Sequence, residues 1–193
     1  MTMENSEDGR LARGVARRHM LLDAAVRVVA RAGSGSLTHR AVATEAHVST
    51  ASVTYHFPSI NELRTATLQH AGSEIGMQLV RLVSDASASV EDTPQICAAF
   101  AVRLVAEQRT ETAAVFELIV AAGHDQGLRA VVDTLNGYLA DVLTPYEGDR
   151  DRALRVAAAI QGLLLVHLAS SSSPTDLGDA IAHLIRRYRS PLI

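Results

Sequence analysis

Residues 38–63 read THRAVATEAHVSTASVTYHFPSINEL, and this stretch decides the fold. Val42 and Ala43 give a first short helix its apolar face. His47-Val48-Ser49 is long enough only for a turn. Ser49 then caps a second short helix over residues 50–56, its hydroxyl accepting from the free N–H groups of the first turn. The outward positions of that helix, Thr50, Ala51, Ser52, Thr54, Tyr55 and His56, are small or hydrogen-bonding. A helix with such a face fits a flat, hydrogen-bonding surface such as the major groove of DNA. Ser59-Ile60-Asn61-Glu62 has the form of a capping box and starts a third, long helix.

Outside this stretch the composition points to helices throughout. The chain has 193 residues, 48% of them apolar, which excludes global disorder. Gly (12), Pro (5) and aromatic residues (4%) are sparse, a balance that favours an all-α protein. The single cysteine, Cys97, excludes an internal disulfide and a Cys-rich zinc site, and no metal or cofactor is expected. The first ten residues are polar and acidic, unlike a signal peptide. The longest apolar run, residues 156–169, falls short of the roughly 20 residues of a membrane span, so a cytoplasmic protein is expected.

The net charge of −3 hides an asymmetry. Residues 9–70 hold eight Arg (10, 13, 17, 18, 27, 31, 40 and 64) against three acids (Asp23, Glu45 and Glu62), a formal +5. Residues 71–193 hold ten Arg against fifteen acids, a formal −5. A basic N-terminal third on an acidic body suits phosphate binding at one end of the molecule.

Residues 1–13 lack apolar periodicity and read as a disordered arm, in the first instance a solvated tail; the alternative is that Arg10 and Arg13, with Arg17 and Arg18, reach along a phosphate backbone or into a minor groove. Residues 14–62 read as a helix-turn-helix unit and residues 63–193 as a second, helical domain. The first helix spans about residues 17–32, with Leu21, Ala25, Val28 and Val29 at helical spacing, and Gly33 ends it. Thr38 caps the next helix; His39 and Arg40 in its first turn make a phosphate clamp with the free backbone N–H groups. The long fourth helix runs to about Val83, with Ala71, Gly72, Ser73 and Gly76 as a place to bend. Five more helices follow, over about residues 93–108, 111–122, 126–143, 150–170 and 174–189, about nine in all. Thr144-Pro145 should stop the seventh. Small residues Ala157, Ala158 and Gly162 in the apolar eighth helix permit close approach. With Leu165 and with Ile181, Leu184 and Ile185 of the ninth helix, they are expected at a dimer seam, the monomer core being the other possibility.

Residues 17 to about 70 resemble the TetR family of bacterial transcriptional regulators. The resemblance is carried by RRHMLLDAAVRVVARAG, LTHRAVATEAHVSTASVTYHF and PSINEL in that order. Two positions depart from the family pattern: His47 stands where it has a turn Gly, and Ile60 where it has a basic residue. The resemblance implies a homodimer on a palindromic DNA operator, with Thr50, Ser52, Thr54, Tyr55 and His56 facing the DNA. Thr38 and Tyr55 hydroxyls suit phosphates, while Ser52 and Thr50 are short enough for base edges. Alternatively, His56 makes a structural hydrogen bond that closes its turn.

The resemblance also implies a small-molecule effector bound between the fourth and eighth helices. Met77, Phe100, Leu104, Phe116, Leu118, Ile119, Leu135, Tyr138 and Leu165 are the apolar candidates for its pocket. Glu74, Cys97, Arg103, Glu117, His124, Gln161 and His167 are the polar ones. Such a lining suits a lipophilic ligand; ordinary core packing is the competing explanation for each residue. Repression relieved by the ligand is the expected mechanism, activation the alternative. A helical ligand-binding dimer with weak or no DNA binding is a rival reading, supported by His47 and Ile60. An enzyme is not expected: no HExxH, GxSxG or P-loop motif is present.

Overall fold

A computed structural model describes residues 4–85, 89–170 and 173–189. These residues form nine α-helices and no strand: α1 (Glu4–Ala32), α2 (His39–Glu45), α3 (Thr50–His56), α4 (Ile60–Asp85), α5 (Thr93–Ala106), α6 (Arg109–Ala121), α7 (Gln126–Glu147), α8 (Arg150–Ala169) and α9 (Pro174–Tyr188). The all-α architecture follows the expectation from the sequence. The start of α1 does not. Residues 4–13, expected as a disordered arm, continue the helix, and residues 1–3 lie outside the described residues. No proline interrupts the run, so nothing in the backbone chemistry stops the helix from extending.

The first three helices close around one apolar cluster. Leu21, Ala25, Val28 and Val29 of α1 share a core with Val42, Val53, Phe57, Leu63 and Leu68. Full burial of a side chain such as Leu21 or Phe57 contributes about 1.5–3 kcal/mol. The caps are as the sequence predicts. Thr38 Oγ1 accepts from Ala41 N at 3.1 Å, Ser49 Oγ from Ser52 N at 3.2 Å and Ser59 Oγ from Glu62 N at 3.1 Å. Arg27 and Arg31 of α1 donate to Glu45 of α2 at 2.9 and 2.8 Å, which fixes the angle between the two helices. Their hydrogen bonds hold the Glu45 carboxyl below its ordinary pKa.

This core does not stop at residue 62. Ala114, Val115, Leu118 and Ala122 from α6 and its end, with Leu128 of α7, belong to it. A second core joins Leu79 of α4 with α5, the C-terminal half of α7, α8 and α9. Helix α4 therefore passes from one core into the other as a single rod. Its glycines are contact points: a Cβ on Gly72 would clash with Leu135 Cδ1, and one on Gly76 would lie 2.9 Å from Tyr138 Cδ2. Both neighbours belong to α7.

Pro145 fails to stop α7, which continues to Glu147. Burial of Tyr146 and Glu147 draws the last turn onto the second core, and Gly148 ends the helix at φ 72° with its N–H on Thr144 O at 2.9 Å. Ile181 and Ile185 are corrected as well. Both are fully buried inside the protomer, because α9 lays its apolar stripe against α5, so neither can line a seam with a partner. Ala158, Gly162 and Leu165 do lie on the exposed face of α8, and Leu184 is half-buried. At 20 residues α8 is also long and apolar enough to cross a membrane by length and composition, contrary to the shorter apolar run read from the sequence. A single helix of this kind is weak evidence, and here α8 packs against α7 and α9.

Candidate functional site

Two places in the molecule carry the chemistry anticipated from the sequence. The first is the outer face of α2 and α3. Thr38, Arg40, Thr50, Thr54 and Tyr55 are exposed there, while Ser52 and His56 are half-buried. Tyr55 is 83% exposed, an unusual position for an aromatic ring, and stands edge-on to His56 with centroids 5.2 Å apart. Thr54 Oγ1 donates to Thr50 O at 3.1 Å, so its proton is committed to its own helix. Arg18 reaches from α1 over the Phe57 ring, its Cζ 4.6 Å from the centroid.

His39 changes role. Its Nε2 lies 2.7 Å from Phe57 O. A carbonyl only accepts, so Nε2 carries the proton, and that N–H is committed to Phe57 O rather than to a phosphate. The turn-closing hydrogen bond that the sequence reading considered for His56 thus belongs to His39. His47 is the only non-glycine described residue at positive φ, 55°. The turn keeps the left-handed geometry that glycine favours, with a side chain that tolerates it less well. Ile60 is half-buried against the first core, so the residue in the basic position is spent on packing.

The second place is a cavity between α4, α5, α6, α7 and α8, of about 110 Å³. Cys97, Phe100, Leu104, Phe116, Ile119, Leu135, Tyr138 and Gln161 line it as anticipated. Gln161 Nε2 donates to Asn136 Oδ1 at 2.9 Å. Burial pushes the Cys97 thiol up to about 12, so it is neutral. Eight anticipated pocket residues lie elsewhere, Glu74 and His124 among them. Met77 points outward on α4. Arg103 is turned to Gln78 Oε1 at 3.0 Å and lies behind Phe100, its Cζ 5.2 Å from that ring. Glu117 faces the α1–α2 turn, where its carboxylate accepts from Ser34 N at 3.5 Å. His167 is buried in the second half of α8, outside the lining. Leu118 belongs to the first core, and Leu165 is 42% exposed. Sequence reasoning missed Gly72 and Gly76 as wall residues, although their spacing of four on α4 puts them on one helix face.

The comparisons with known proteins meet this geometry. The family described as bacterial regulatory proteins, tetR family, matches residues 21–67, and the tetracyclin repressor-like C-terminal domain matches residues 88–189. The chain belongs to the TetR family. It is a helix-turn-helix transcriptional regulator, of a family that is regulatory and DNA-binding rather than enzymatic. The HTH-type transcriptional regulator BetI of Brucella suis biovar 1 (strain 1330) is 32% identical to this TetR-family chain over 182 residues, 89% of each protein. BetI of Brucella anthropi is 32% identical over 184 residues, covering 89% of this chain and 91% of its own. Among solved structures, the multidrug binding protein EbrR complexed with imidazole superposes with a TM-score of 0.76 at 27% identity, covering 92% of this chain and 97% of its own. EbrR complexed with ethidium gives a TM-score of 0.71 at 28% identity, with 87% and 97% covered. A TetR-family member from Streptomyces coelicolor A3 gives 0.76 at 27%, with 91% and 99% covered.

Proposed function

We propose that this regulator is a homodimeric cytoplasmic repressor that occupies a palindromic operator and leaves it when a small lipophilic molecule fills the cavity. One observation carries the reading. Helix α4 holds Leu63 and Leu68 in the core of the helix-turn-helix unit, and its Gly72, Ile75, Gly76 and Leu79 form a wall of the cavity. A ligand that parts α4 from Leu135 and Tyr138 of α7 moves the rod on which the reading helix is mounted. The shift requires the ligand to bind the DNA-free arrangement more tightly than the DNA-bound one. The multidrug binding of EbrR, which shares this fold, supports a ligand site in this chain.

In this reading α3 lies in the major groove. Thr50 and Ser52 reach base edges, Tyr55, Thr38 and Arg40 reach phosphates, and His56 and Thr54 flank them; His39 contributes its backbone N–H. The exposed apolar face of α8, with Ala158, Gly162 and Leu165, joins Leu184 of α9 in the dimer seam. Recovery of bound fragments from genomic DNA tests the reading. Half-sites about 34–36 Å apart are expected. Enrichment of no fragment, or of sites without two-fold symmetry, would overturn it.

A further inference from the structure

The cavity wall is uncharged throughout. Of its polar groups, the Cys97 thiol is neutral and the Thr112 hydroxyl is committed to the carbonyls of Leu104 and Gln108 at 3.2 and 2.7 Å. Tyr138 also lines the cavity, and its hydroxyl has no hydrogen-bond partner among the described residues. Gln161 engages its amide nitrogen with Asn136, and none of the described residues donates to its carbonyl oxygen. Arg103 stacks on Phe100, whose ring lines the cavity, and so sets a positive charge against the wall. A cation placed here would lose its hydration and find no carboxylate in the wall. An anion would also lose its hydration, and Arg103 is not part of the lining. Size restricts the ligand further. The cavity holds about 110 Å³ and is partly open at its mouth, well below the about 300–1,000 Å³ of sites for drug-sized ligands.

We propose that the ligand of this cavity is a small uncharged molecule, no larger than one substituted ring or a branched alkyl group, with a single hydrogen-bond donor directed at Gln161. This rests on the cavity being the effector site of the proposed function. Calorimetric titration with benzyl alcohol, benzylammonium and benzoate compares nearly isosteric probes of three charges, and ethidium supplies a multi-ring cation. Benzyl alcohol is expected to bind at least about tenfold more tightly than either ion, with no binding of ethidium at the cavity. Ala101→Leu, which fills the space from α5, should abolish that binding. In the wild type, benzyl alcohol should slow the reaction of Cys97 with methyl methanethiosulfonate, which locates the probe even if the variant does not fold. Benzylammonium, benzoate or ethidium binding as tightly as benzyl alcohol would overturn the proposal. So would an absence of benzyl alcohol binding, or binding without protection of Cys97. Operator release is followed separately by fluorescence anisotropy. A probe that occupies the cavity but leaves the DNA bound overturns the repressor reading and leaves the ligand class standing.

Discussion

His47 occupies a left-handed backbone position, φ 55°, that a glycine would hold without strain. Replacing it by glycine should stabilise the turn between α2 and α3 by about 1 kcal/mol, read as a rise in the thermal midpoint. An unchanged or lower midpoint would show that the His47 side chain compensates its own strain. Glu147 stores a different conflict. It is 2% exposed, and neither carboxylate oxygen has a hydrogen-bond partner among the described residues. Burial raises its pKa, an effect that Arg152 and Arg189 partly offset. A carboxyl whose folded-state pKa is raised binds its proton more tightly in the folded chain. Its stabilising contribution is complete below the unfolded pKa and is lost as pH rises through the folded value. Glu147→Gln should therefore raise the thermal midpoint at neutral pH and flatten the fall in stability above the ordinary carboxylate range. Glu45 and Glu91, lowered by their arginine partners, act in the opposite direction and weaken the fold as the solution is acidified. His47 was legible in the sequence because a local motif names the residue it replaces. Glu147 was not, because its burial depends on where α7 ends relative to α8 and α9.

Helix α4 shows both how far a sequence reading carries and where it stops. Ser59 and Glu62 announce its start, and the Leu63–Leu68 spacing announces its buried face, so its existence follows from local signals. What its glycines do depends on a partner 60 residues away and had no local signature beyond their shared face. Gly76→Ala brings a methyl against Tyr138 Cδ2, Cγ and Cβ at 2.9, 3.2 and 3.3 Å. The Cβ end of that side chain cannot swing aside, so α4 and α7 must part, at a cost of about 1–3 kcal/mol in denaturant unfolding. The pocket was legible for the same kind of residue and illegible for another. Aromatic and aliphatic side chains on α5–α8 point inward wherever helical period puts them. Arg103, Glu117 and His167 each found a nearer partner or a different core, and only the packing decides that. At the start of α4, Ile60→Lys would give up a half-buried contact and restore a cation at the helix N-terminus. DNA affinity should rise, and the slope of log affinity against log salt should steepen by about one. An unchanged slope would place residue 60 away from the phosphates.

Across the whole molecule, the charge separation and the exposed face of α8 point in one direction. The basic third carries the helix-turn-helix unit and the acidic remainder carries the cavity, so the field favours DNA at the helix-turn-helix end, as the proposed function requires. Val166 and Leu165 are 66% and 42% exposed, more than a chain that stayed monomeric would need to leave in water. Leu165→Arg should convert the dimer to a monomer in light scattering and reduce operator affinity by about 10²-fold or more, because two half-sites no longer share one binding event. A dimer that persists would place the seam on another face. The central claim, that the α2–α3 face reads DNA, is tested most directly by fluorescence anisotropy on the DNA flanking the chain's own gene, across a salt series, for the wild type, Tyr55→Ala and Arg40→Ala. The expected result is specific binding by the wild type and a loss of about 1–3 kcal/mol in each variant with a flatter salt dependence, the dimer remaining intact. Equal affinity of both variants and the wild type, or no specific binding at low salt, would contradict it.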